Sequence, residues 1–148
     1  MLELSLSSMG FGIGMTSQTP IRSVADGLTE RFDPTACLDE RVRHRAALAD
    51  PAQPGRYLKL DGPERTLLIP LGSEAIHIGR GLAADLHIDE SSVSRRHAIL
   101  VPRPAGARIL DDRSSNGTFV NGRRVQQADL RDGDVILLGR IMLRYLEL

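Results

Sequence analysis

From Tyr57 onward, short apolar runs alternate with clusters of Gly, Pro, Asp, Asn and Ser. Strand-like runs fall at 57–60, 66–71, 75–78, 85–88, 98–101, 107–110, 118–120, 135–138 and 141–146. Their spacing of roughly 8–12 residues predicts an all-β sandwich or barrel, and no stretch in this part has a helix-length amphipathic pattern. Asn121-Gly122, between 118–120 and 123–125, is the strongest short hairpin signal in the chain. Asp132-Gly133 does a similar job before the last pair of strands. About ninety residues this rich in Val, Ile and Leu can bury one core.

Residues 1–54 lack alternation. The opening to Gln18 is rich in Gly, Ser and Met and reads as flexible. Thr19-Pro20 can begin a helix with Ile21, Val24, Leu28 and Phe32 on one face, weakened by Gly27. Asp33-Pro34 is a second start signal, and a helix over 36–49 would stop before Asp50-Pro51. Its apolar face, Leu38, Val42, Ala46 and Ala49, is too thin to hold a core alone. The expectation is a flexible or weakly helical extension over 1–54, followed by one domain over 55–148.

Composition narrows the function classes. In 148 residues, 19 Lys and Arg balance 19 Asp and Glu, which disfavours a general nucleic-acid binder that must neutralise many phosphates. The balance conceals five Arg against seven acids in 1–54, and fourteen basic against twelve acidic residues in 55–148. The aromatic residues are Phe11, Phe32, Tyr57, Phe119 and Tyr145, too few for a base-stacking platform. One cysteine, Cys37, excludes an intrachain disulfide framework and any multi-cysteine metal site. No apolar run approaches the ~20 residues of a membrane helix, and the acidic start Met1-Leu2-Glu3-Leu4 does not suit a signal peptide. A cytoplasmic protein with no membrane partner is expected.

The candidate chemistry gathers where predicted strands meet turns. Gly79-Arg80, Ser94-Arg95-Arg96-His97, Ser114-Ser115-Asn116-Gly117-Thr118 and Asn121-Gly122 follow one another within forty-four residues. Arg80 and Arg95 are forked, permanently charged donors; Ser94, Ser115 and Asn116 add short hydroxyl and amide groups. The natural guest of such a set is a small, multiply charged oxyanion, above all phosphate.

These motifs, together with Ala84-Asp85-Leu86-His87-Ile88 and Val93, resemble the forkhead-associated (FHA) domain from about Tyr57 to Leu146. The resemblance implies an FHA-type β-sandwich of about eleven strands that binds phosphothreonine peptides through loops at one end. By position, it implies that Arg80 holds the phosphate, Ser94 hydrogen-bonds it and Arg95 adds a further contact. Asn116 would bond the peptide backbone, with Ser115 beside the threonine methyl. Gly79, His97, Gly117, Asn121 and Gly122 match structural positions of the motif, His97 bracing the loops. Some small bacterial FHA proteins carry an N-terminal threonine that is phosphorylated and occupies their own pocket. By resemblance to them, Thr16 and Thr19 are candidate phosphorylation sites.

The expected partner is therefore a phosphothreonine-containing protein: a kinase, a kinase substrate or the chain's own N-terminal segment. No nucleic acid, cofactor or catalytic activity is expected. Other readings exist for the same residues. Arg80 could form a surface ion pair with Asp85 or Asp89. His77, His87 and His97 recur every ten residues, but no carboxylate or thiol accompanies them at ligand spacing. Ser94, His97 and Asp111 or Asp112 could suggest a hydrolase triad, although no Gly-x-Ser-x-Gly elbow is present. A phosphate-independent scaffold, or an inhibitor of a partner enzyme or secretion component, is the alternative function.

Overall fold

Eleven strands carry the fold: β1 Arg56–Asp61, β2 Thr66–Leu71, β3 Ile76–Gly79, β4 Leu86–His87, β5 Ala98–Arg103, β6 Gly106–Asp111, β7 Thr118–Val120, β8 Arg123–Val125, β9 Gln127–Leu130, β10 Val135–Leu138 and β11 Ile141–Glu147. The computed structural model describes residues 32–50 and 52–148. Thr16, Thr19 and nearly all of the helix expected from Thr19 lie outside the described residues. Asp33–Leu148 forms one compact unit.

The strands form two sheets, ordered β2-β1-β11-β10-β7-β8 and β4-β3-β5-β6-β9. Every pairing is antiparallel except β3 with β4, where Ile78 faces Leu86 and Gly79 faces His87. Of the sandwich or barrel that the periodicity predicts, the two sheets make a sandwich. Period-two alternation fills it: in β11, Ile141, Leu143 and Tyr145 are buried while Met142 and Arg144 point outward. Leu58 and Leu60 of β1, Ile78 of β3, Leu100 of β5, Ile109 of β6, and Ile136 and Leu138 of β10 meet between the sheets. Each such side chain contributes about 1.5–3 kcal/mol relative to exposure.

The Asn121-Gly122 turn joins β7 to β8 with φ of 52° and 84°. Both central residues are left-handed, the type I′ geometry that matches the strand twist. Asn121 does more than tolerate the turn. Its Oδ1 accepts from Val135 N at 2.9 Å and its Nδ2 donates to Asp134 at 3.0 Å, tying the hairpin to β10.

The segment before β1 divides where the sequence suggested one helix. A 3-10 turn spans Pro34–Cys37, with Asp33 accepting from Thr35 N. Leu38 then turns extended and bridges to Ile88, which breaks the helix; α1, Glu40–Ala47, starts afresh behind Asp39, whose side chain accepts from Val42 N. The thin apolar face is put to use: Leu38, Val42 and Ala46 join the core of the sandwich. Cys37 O accepts from Asp89 N at 2.7 Å, and Arg45 donates to Pro70 O at 3.0 Å. This segment thus closes the side of the sandwich between its edge strands β2 and β4. Asp39→Ala removes the cap and is expected to cost about 1 kcal/mol. A thermal melt should show a lowered midpoint with the β-sheet signal unchanged below it.

Candidate functional site

Three loops meet at one end of the sandwich: 80–85 after β3, 88–97 after β4 and 112–117 after β6. Gly79 is where the first two touch. A Cβ there would run into the Arg95 carbonyl oxygen and approach Ser94 O at 2.9 Å, so only glycine fits. That contact allows Arg80 N to donate to Ser94 O at 2.9 Å and Gly81 N to donate to Arg95 O at 3.1 Å.

The Arg80 guanidinium is half-committed. Nε donates to Val93 O at 3.0 Å, which fixes the direction of the side chain. Its two Nη groups make no hydrogen bond or ion pair among the described residues. Asp85, offered above as an ion-pair partner, accepts from His77 N instead. Behind Arg80, His87 Nε2 bonds the Arg80 carbonyl at 3.0 Å, and His87 Nδ1 lies 3.7 Å from Asp39.

His97 is fully buried and joins two of the loops. Its Nδ1 accepts from Ser94 N at 3.0 Å, so the proton sits on Nε2 and is donated to Gly117 O at 2.9 Å. In this orientation His97 does not take the Ser94 hydroxyl as a base would. Ser94 Oγ accepts from Ser115 N at 2.9 Å, and its own proton remains to be donated outward. Asn116 Nδ2 donates to Ser92 O at 2.8 Å.

The third loop is organised by Asp111, which no sequence motif marks beyond its place as a triad candidate. It accepts from the Ser114 hydroxyl, Ser114 N and the Thr118 hydroxyl, while Ser114 Oγ in turn accepts from Gly117 N. Burial opposes its charge, but the Ser114 and Thr118 hydrogen bonds outweigh burial and hold its carboxyl below the usual range. Gly117 has φ of +89°, which the turn requires. The second loop has a similar brace: Glu90 accepts from Ser92 and pairs with Arg140 at 3.1 Å. The Ser92 hydroxyl is the main influence holding Glu90 below the usual carboxylate range, against burial.

Arg80, Ser94, Arg95, Ser115 and Asn116 therefore belong to one hydrogen-bonded loop cluster, with Gly79, His97 and Gly117 beneath it. Asn121 and Gly122 lie apart, at the β7–β8 hairpin. Arg95 is exposed, and its side chain makes no hydrogen bond or ion pair among the described residues. Arg96 is held by a two-pronged pair with Asp112, at 3.0 and 3.2 Å. His77, His87 and His97 have separate surroundings and do not converge.

The architecture and the loop cluster define a β-sandwich whose unpaired donors are presented at one end. The sequence model of the FHA domain matches residues 76–139. The oxoglutarate dehydrogenase inhibitor of Corynebacterium diphtheriae is 30% identical over 97 residues, 66% of this chain and 68% of that protein. The chain belongs to the FHA domain family. An ABC transporter ATP-binding/permease protein of Mycobacterium tuberculosis is 55% identical over 67 residues, which is 45% of this chain but only 8% of the transporter. A structure solved in an analysis of phosphothreonine-dependent FHA domain interactions is 37% identical, with a TM-score of 0.56, covering 63% of this chain and 96% of that one.

Proposed function

We propose that this domain binds phosphothreonine-containing protein segments and so acts as a non-enzymatic adaptor or regulator in Ser/Thr-kinase signalling. The observation that carries the reading is the Arg80 side chain, aimed by its Nε–Val93 bond with both Nη groups unpaired among the described residues. A phosphothreonine brings about −1.5 to −2 charges and three strong acceptors. The two Arg80 Nη groups and the Ser94 hydroxyl proton supply donors for its oxygens, and Arg95 adds charge from the exposed side. Ser115 lines the place beside the threonine methyl, and Asn116 bonds the peptide backbone. The relative solved for phosphothreonine-dependent interactions supports the same reading.

The mechanism is differential affinity. An unmodified segment cannot make the charged contacts, so a kinase converts its own activity into complex formation. Candidate ligands are a kinase, its substrates, and phosphorylated Thr16 or Thr19 of this chain. A cytoplasmic setting suits them, and no helix among the described residues is long and apolar enough to cross a membrane.

Fluorescence anisotropy with matched phosphothreonine, phosphoserine and unmodified peptides, including ones spanning Thr16 and Thr19, tests the reading. Phosphothreonine peptides should bind at least tenfold more tightly than their unmodified counterparts. Equal binding of modified and unmodified peptides would reject it. That outcome would favour the second reading, a phosphate-independent enzyme inhibitor, to which the name of the Corynebacterium relative points.

A further inference from the structure

The loop after β3 has an unusual tip. A turn closed by Ala84 N donating to Gly81 O at 3.1 Å carries Leu82-Ala83-Ala84, where turn chemistry favours Gly, Asn, Asp or Ser. Leu82 is 91% exposed, more than any other large apolar side chain of the described residues, so it contributes almost nothing to the core. Beside it opens a cavity of about 390 Å³, within the range of ligand pockets, lined by Ile78, Gly81, Leu82, Ala83, Ala84 and Arg95.

This cavity adjoins the proposed phosphate site through Arg95, which belongs to both. Gly81 follows Arg80 directly, and its amide bonds the Arg95 carbonyl at 3.1 Å. Arg95 thus stands between the phosphate position and the cavity. Neither Asn116 nor Ser92, to which its side chain donates at 2.8 Å, lines the cavity. The polar rim is already neutralised, because Arg96 and Asp112 pair with each other. Among the described residues, an anionic neighbour would find Arg95 and the His77 ring as the lining donors not already paired, whereas an apolar side chain would cover Leu82 and the alanines and lose water.

We propose that the cavity takes one apolar side chain of the phosphothreonine-bearing segment, on the side of the phosphothreonine away from Asn116. The domain then reads a phosphothreonine and an apolar residue together. The inference rests on the phosphate-binding reading of Arg80 and Ser94.

The test walks a single Leu through four positions on each side of phosphothreonine in an otherwise Ala/Ser peptide, using the full chain. Wild type, Leu82→Ser and Ala83→Glu are compared by anisotropy; both positions are exposed, so folding is not at stake. Leu should tighten binding about tenfold at one position or two nearby ones, on one side of phosphothreonine only. Both variants should lose that gain while binding the Leu-free phosphopeptide as wild type does. Binding of the Leu-free phosphopeptide with no positional gain would overturn this proposal alone, as would a gain that survives both variants. A Leu-free phosphopeptide that binds no better than its unmodified form would overturn the phosphate reading, and this proposal with it.

Discussion

Arg80→Ala is expected to weaken phosphothreonine-peptide binding by ten- to a hundredfold while leaving the sandwich folded. The affinity loss follows from removing charged hydrogen bonds worth roughly 1.5–3 kcal/mol, at about 1.4 kcal/mol per factor of ten. The fold tolerates the change because Arg80 contributes its backbone, not its side chain, to the loop junction: the amide bonds Ser94 O and the carbonyl bonds His87. Among the described residues, the side-chain bond lost is Nε to Val93 O. Arg80→Lys should fall between the two, since it keeps a charge but loses both the fork and the aiming bond. Isothermal titration against one phosphopeptide, with a thermal melt of each variant, reads both effects. A melt shifted by Arg80→Ala as much as by a core substitution would mean that the residue is structural.

The largest effect on stability should come from His97→Ala. His97 is fully buried, and its two ring nitrogens satisfy Ser94 N and Gly117 O. Truncation leaves both groups without partners, at about 1–3 kcal/mol each, and opens a cavity beneath the loops. The melting midpoint should fall by roughly ten degrees or more. Phosphopeptide binding should fail as well, because Ser94 and the 114–118 loop lose their common anchor. The distinction from Arg80 is the signature: His97→Ala moves stability and binding together, whereas Arg80→Ala moves binding alone.

Much of this arrangement was legible in the residues. Alternating short runs placed nine of the eleven strands, because burying one face of a strand demands a period of two, and the hairpin signal placed a tenth, 123–125. The Asn121-Gly122 pair announced its turn because both positions need positive φ. The missing strand was β9, Gln127–Leu130, which alternates over only four residues, with Ala128 and Leu130 inward, and follows β8 with no turn residue between them. It exists through its partner: β6 supplies the ladder, and Arg108 faces Asp129 across it at 2.7 Å.

The region before β1 shows a different limit. Local signals at Asp33-Pro34 and around 36–49 marked helical starts and stops, but the extended Leu38 between them is imposed from outside, by its bridge to Ile88. No periodicity could announce that. In the loop cluster, spacing and residue type picked out Arg80, Ser94, Arg95, Ser115 and Asn116, all donors on short or forked side chains. Asp111 was not singled out as an organiser of the third loop, since its role depends on accepting from Ser114 and Thr118 at once. The apolar tip at Leu82 also escaped notice, because an exposed leucine gains meaning only beside a cavity.

If the loop end of the sandwich, and no other surface, holds the phosphate, the backbone amides there must report its arrival. A 15N–1H correlation spectrum recorded during titration with one phosphothreonine peptide, and with its unmodified form, tests this directly. The phosphorylated peptide should shift the amides of Arg80, Ser94, Arg95, Ser115 and Asn116 while the β7–β8 hairpin at Asn121 stays still. Shifts centred elsewhere, or identical shifts from the unmodified peptide, would contradict it.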